Sequence, residues 1–276
     1  MLLPAFISAH LLLASVPPSE GGEHAGPPEL PNVITLLFGH ESWAAHWMNV
    51  IFAMGVALFL SFLALQAYRH REMIPGPFQN GVEWVVESLD NFFFNILGKD
   101  CRSYLPFLGT LFVYIFAMNI FALFPGMMSP PGGPYGINTT LALAICVFVY
   151  VQYTGMRRLG LVGYLDHFAG QPRNVIGWIL VPLNLPIHII GELAKPMSLS
   201  LRLFGNITGE DVLLAVFVGL GNSALGFLHS PVGLPLHLPF IFLALLVSLI
   251  QALVFTLLSS IYFLMMLPHH DEEHAH

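Results

Sequence analysis

Residues 103–156 read SYLPFLGTLFVYIFAMNIFALFPGMMSPPGGPYGINTTLALAICVFVYVQYTGM and contain no Asp, Glu, Lys, Arg or His. A second stretch, Val212 to Pro268, carries no ionisable side chain apart from tyrosine except His229 and His237. The whole chain of 276 residues is 56% hydrophobic and 9% charged, where soluble domains carry about a quarter charged residues. Apolar runs of this length have no place to hide in a water-soluble fold, so hydrocarbon is the solvent they imply. The formal charge of −7 does not point to a basic partner, because much of the acid sits near the termini, at Glu20, Glu23, Glu29, Glu41, Asp271, Glu272 and Glu273. It reads as solvated tails, and nucleic acid is not expected as a partner. Cys101 and Cys146 fall in segments of different character and make neither a disulfide framework nor a zinc site.

Five membrane-crossing segments follow, at about 47–68, 104–124, 139–156, 174–221 and 238–267, within one membrane domain of residues 46–268. The fold class is therefore all-α integral membrane. The third span is expected to stop at Arg157 and Arg158. Residues 79–97 set Glu83, Glu87 and Asp90 at helical spacing against Val82, Val85, Val86, Leu89 and Phe93, the pattern of an amphipathic helix at the membrane surface. Residues 1–18 read either as a leader or as an interfacial segment, residues 19–45 as a polar outer arm, and residues 269–276 as a polar tail. Seven of the nine Lys and Arg residues, Arg69, Arg71, Lys99, Arg102, Arg157, Arg158 and Arg173, fall on one side of these spans. The positive-inside rule makes that side cytoplasmic, with the N-terminus outside and the C-terminus inside.

The fourth segment is too long for one upright crossing. About 70 Å of helix at 1.5 Å per residue meets a hydrocarbon core of about 30 Å, so the segment is tilted, broken at Pro182, Pro186 or Pro196, or both. With the last segment it forms a long tilted hairpin. Along it His188, Glu192, Lys195, Arg202, Asn206 and Glu210 recur at spacings of three, four and seven, within about 80° of one face. Ionisable residues inside a membrane face a water-filled cavity or a charged partner, since a central arginine costs about 2.5 kcal/mol or more to insert. Glu192 and Lys195 can satisfy each other as an i,i+3 pair. Arg202, in SLSLRLFGN, has no acidic residue three or four positions away, so its counter-charge comes from elsewhere. Asp211 points about 180° from Arg202 on a straight helix. In the last segment Ser248, Gln251 and Ser259 share a face, where Gln251 can bond a neighbouring helix. The histidines are scattered without an HExxH pattern, no P-loop is present and no internal repeat flanks a broken helix, which leaves a metalloenzyme and a secondary transporter without support. The terminal HHDEEHAH reads as a polar end.

The string KPMSLSLRLFGNITGED (195–211), followed by Gln251 in VSLIQALVFTLLSSIYF (247–263), resembles subunit a of the F-type ATP synthase. QNGVEWVVESLDNF (79–92), GKDCRSYLPFLGTLF (98–112) and TLALAICVFVYVQYTG (140–155) stand in the order of that family, so the similarity spans most of the chain. The resemblance implies a non-catalytic, ion-translocating stator subunit of a bacterial inner membrane. It also implies a ring of c subunits and a b-subunit peripheral stalk as partners, and no cofactor. It assigns Arg202 to the ring carboxylates, makes Asn206 and Gln251 its polar neighbours, and gives an outer half-channel to Asp211 first and Glu210 second. The inner half-channel falls near His188 and Glu192. Two positions depart from the common pattern: His188 stands where many members have Glu, and Ala244 where some have His or Glu.

Overall fold

The computed structural model describes residues 47–69, 76–98, 101–124, 136–168, 175–226 and 236–266, all essentially helical. The leader, outer arm, tail and His229 lie outside the described residues. Six helices follow in order: α1 Met48–Arg69, α2 Pro77–Leu97, α3 Cys101–Ala122, α4 Gly136–Phe168, α5 Val175–Gly226 and α6 Leu238–Met266. Five of them hold a stretch long and apolar enough to cross a membrane: α1, α3, residues Gly136–Gly160 of α4, Val181–Gly221 of α5, and α6. The protein is an all-α integral membrane protein.

A helix pairs most of its backbone within itself, which is what hydrocarbon demands, although Pro106 of α3 and Pro182, Pro186 and Pro196 of α5 each lack the N–H that would close one such bond. Packing between them cannot rely on the hydrophobic effect, since lipid tails are as apolar as leucine, and falls to side-chain fit and buried polar contacts. The last helix is the hub. α6 packs on α2, α3, α4 and α5, and its Ser248, Gln251, Thr256, Ser259 and Ser260 are all buried. Near one end, Tyr104 and Phe107 of α3, Tyr150 of α4 and Phe263 of α6 form an aromatic cluster with ring centroids 4.7 to 6.3 Å apart. Near the other end, Leu123 beyond α3 meets Leu214 of α5 and Ala244 of α6. These two clusters make α3 and α6 antiparallel. α1 packs on α3 and α4 rather than on the α5–α6 pair, through Val56 and a hydrogen bond from the Tyr114 hydroxyl to the Ala53 carbonyl at 3.2 Å.

α2 starts with Pro77, whose missing N–H is harmless in a first turn. It ends where the N–H of Gly98, at φ 58°, donates to the Phe94 carbonyl. Phe93 and Leu97 are buried in the common core, with Leu89, Phe92 and Ile96 beside them. The expected amphipathic helix is thus docked on the bundle by its C-terminal half, while Val85 and Val86, expected on the apolar face, stay exposed beside Trp84.

Two features of the helices go beyond the spans read from the sequence. The third span does not stop as a helix at Arg157 and Arg158; α4 runs on to Phe168 across a break at Gly160, at φ 71° and ψ 167°. Charge ends a hydrocarbon crossing but not a helix, and the turn comes at the residue able to adopt that backbone. This conformation is essentially confined to glycine, so Gly160→Val is expected to cost about 1–3 kcal/mol of local stability, read as a lower melting temperature of the purified subunit. For α5, the choice between tilt and breakage resolves toward tilt, because it runs as one 52-residue helix through Pro182, Pro186 and Pro196. Its 41-residue apolar part, Val181–Gly221, is about 62 Å long and fits a core of about 30 Å only when steeply inclined.

Candidate ion-translocation site

The buried residues of α5, among them Pro196, Leu199, Ser200, Leu203, Ile207, Leu214 and Val218, define the side turned to α4 and α6. Arg202, Gly205, Asn206 and Gly209 are exposed on the side turned away. Among the described residues Arg202 has neither a hydrogen bond nor an ion pair. A Cβ built on Gly205 or Gly209 meets nothing within 4 Å. The guanidinium therefore stands on an open helix face flanked by small residues, the surface against which another helix can approach closely.

Asn206 touches that face and the interior at once: its Nδ2 donates to Gln251 Oε1 at 2.6 Å, bridging α5 to α6. Gln251 is 3% exposed, and its Nε2, like Ser248 Oγ, is buried without a hydrogen-bond partner among the described residues. Both polar side-chain atoms of Asn119 on α3 and the Thr208 hydroxyl on α5 share that condition. A buried polar group left unsatisfied costs about 1–3 kcal/mol, and ordered water is the usual partner of such atoms. Glu210 and Asp211 are both half-buried, one turn before Leu214 of the far cluster. His188 is half-buried too, toward the opposite end of α5. Departing from the other members of the stripe, Glu192 is 7% exposed. It pairs with Lys195 as the i,i+3 spacing allows and accepts from Gln152 Nε2 of α4 at 2.9 Å.

The structure thus joins Asn206 with Gln251, leaves Arg202 open, separates Asp211 from His188 along α5, and takes Glu192 inward. It also adds residues that pattern reading passed over. Thr140 and Ser200 share a buried hydroxyl hydrogen bond of 3.0 Å between α4 and α5, and Gln152, Tyr164 and Tyr262 gather around Glu192 and Lys195. The one signal available for Gln152 and Asn119 was a polar amide inside an apolar run. Outside the spans, burial first and the Glu192 charge second push the Tyr164 hydroxyl above the ordinary phenol range. It therefore stays protonated and can donate.

An all-helical membrane protein whose longest crossing helix presents an uncompensated arginine is the class that fold and site define. The sequence profile of the family described as ATP synthase A chain matches residues 48–264, from α1 nearly to the end of α6. The chain is 45% identical over 244 residues to ATP synthase subunit a of Protochlamydia amoebophila, covering 86% of this chain and 89% of that one. It is 39% identical over 222 residues to ATP synthase subunit a of Desulfotalea psychrophila, covering 80% and 82%. Solidesulfovibrio magneticus has a third such relative, 39% identical over 214 residues, 78% of this chain and 82% of the relative. The chain belongs to the family of ATP synthase subunit a, a component of the membrane sector.

Proposed function

We propose that this subunit is the proton-conducting stator of an F-type ATP synthase, and that Arg202 faces a rotating ring of c subunits, each with a buried carboxylate. The observation that carries the reading is Arg202 itself, a cation on an open face with no counter-charge among the described residues. An intramembrane charge of this kind needs a partner, and a carboxylate arriving on a neighbouring helix is the chemistry that fits.

A proton enters from the outside near Asp211, with Glu210 second, and reaches a ring carboxylate. The neutral acid can then turn into lipid, because it costs far less to desolvate than its ion. After nearly a full turn it reaches the other half-channel, opening to the cytoplasm near His188, and loses the proton. Arg202 between the two favours the ionised carboxylate and repels a passing proton, which blocks a direct leak. Asn206 and Gln251 hold the helix pair beside it. Each charge that crosses supplies about 2.3 kcal/mol per 100 mV, so several must pass for each ATP. The subunit does no nucleotide chemistry. It sits in a bacterial inner membrane with its N-terminus outside, C-terminus inside, and a b-subunit peripheral stalk holding it still.

The open glycines provide the test. In the assembled complex, Gly205→Cys is expected to form a disulfide on mild oxidation with a cysteine placed beside the ring carboxylate. The native Cys146, exposed on α4, serves as the control and should not. Equal yields at both positions would reject the assignment of this face to the ring.

A further inference from the structure

The cluster around Glu192 is more completely paired than a proton relay should be. One carboxylate oxygen accepts from Gln152 Nε2 at 2.9 Å and the other is held by the Lys195 ammonium. Gln152, itself 8% exposed, accepts through Oε1 from the Tyr164 hydroxyl at 2.7 Å. Lys195 Nζ lies 5.3 Å from the centroid of the Tyr262 ring on α6. The network therefore ties together α4, the arm of α4 beyond its break, α5 and α6.

Its geometry depends on Gly160. On a straight helix Tyr164 would stand about 18 Å along the axis from Gln152, twelve residues earlier, far beyond hydrogen-bond reach. The glycine-type backbone at Gly160 turns the arm back. The Tyr164 ring then lies against Gly155, where an added Cβ would come within 3.4 Å of it and within 3.1 Å of Met266 Sδ on α6. Lys195 sits seven residues before Arg202, two helical turns or about 10.5 Å along α5. A clamp here sets the height and rotation at which the arginine is presented.

We propose that Glu192 is a positioning residue and not a proton carrier: the Tyr164–Gln152–Glu192–Lys195 network clamps α5 to α4 and fixes Arg202 in register with its partner helix. The inference rests on the reading of Arg202 given above. A buried pair of this kind is costly to break on one side, because the remaining charge is left uncompensated, yet replacing both charges together is commonly tolerated. That asymmetry separates a clamp from a relay.

The test compares Glu192→Gln with the double variant Glu192→Gln/Lys195→Met in whole complexes, in vesicles, with subunit content measured. Glu192→Gln leaves Lys195 unpaired and is expected to slow ATP-driven gradient formation about fivefold or more. It should also cut the Gly205→Cys cross-link to the ring. The double variant, with neither charge, is expected to recover at least about half of both signals. If the single variant does not assemble, recovery of assembly in the double variant supports the clamp equally, and failure of both to assemble counts against it. A double variant that assembles but transports as poorly as the single would show that the carboxylate itself is needed, and would overturn the proposal. So would a single variant with unchanged transport and cross-linking. Arg202→Ala in the same vesicles reports separately on the arginine: if it still pumps, that reading falls, while the cross-link yields still decide whether the network sets the position of α5.

Discussion

Arg202→Ala is expected to abolish both ATP-driven pumping and proton-driven synthesis while the complex still assembles. Assembly should survive because the side chain is exposed and makes no hydrogen bond or ion pair among the described residues. Transport should fail because the attraction that ionises the arriving carboxylate is gone, and with it the positive barrier between the half-channels. The fall should be about a hundredfold or more, the scale on which removing a preorganised charge-stabilising group acts at a low-dielectric site. Passive proton leak through the membrane sector should rise. Arg202→Lys keeps a charge but not the wide, planar guanidinium, and an ammonium can shed its proton when desolvated, so it too should fail or nearly fail. The measurement is the ATP-driven proton gradient in vesicles with the variant subunit confirmed in the complex. A full gradient with Arg202→Ala would overturn the central assignment.

The second large effect concerns the two neighbouring acids. Asp211→Asn is expected to slow ion transport by about tenfold or more, the lower range for losing a positioned proton-transfer group, and Glu210→Gln by less. On a regular helix Glu210 falls about 80° from Arg202 and Asp211 about 180°. They therefore stand at opposite edges of the face that α5 buries, and a route separate from the arginine uses the far edge. Both are half-buried, so exposure alone does not rank them. Initial rates of gradient formation for the two variants decide the matter, and the reverse ranking would move the outer half-channel to the Glu210 edge.

Most of the architecture was legible because hydrocarbon imposes a simple code. A helix must satisfy its own backbone, and about 20 apolar residues span the core. The borders read for α2, α5 and α6 lie within a few residues of Pro77–Leu97, Val175–Gly226 and Leu238–Met266. The end of the α4 helix, as distinct from the end of its apolar crossing, was not legible in the sequence. Arg157 and Arg158 mark where the chain leaves lipid, whereas helix beyond that point depends on local backbone preference and on what the arm can pack against. Pro182, Pro186 and Pro196 left tilt and breakage equally open in the sequence, and α5 passes through all three without a break.

The site divides along the same line. The sequence by itself determined that Arg202 has no local partner, that a polar stripe follows one face of α5, and that Glu192 and Lys195 lie at pairing distance, because all three follow from helical spacing. Only the tertiary structure decided which members of the stripe face outward. Arg202 is exposed, whereas Glu192 is drawn inward by Gln152, forty residues earlier in the chain. It also brought Asn206 to Gln251, forty-five residues later, and folded Tyr164 back through Gly160. Spacing along one helix gives the angle of a side chain about that helix. What waits at that angle is set by the helices packed against it, and those contacts join residues too far apart in sequence for any local period to relate.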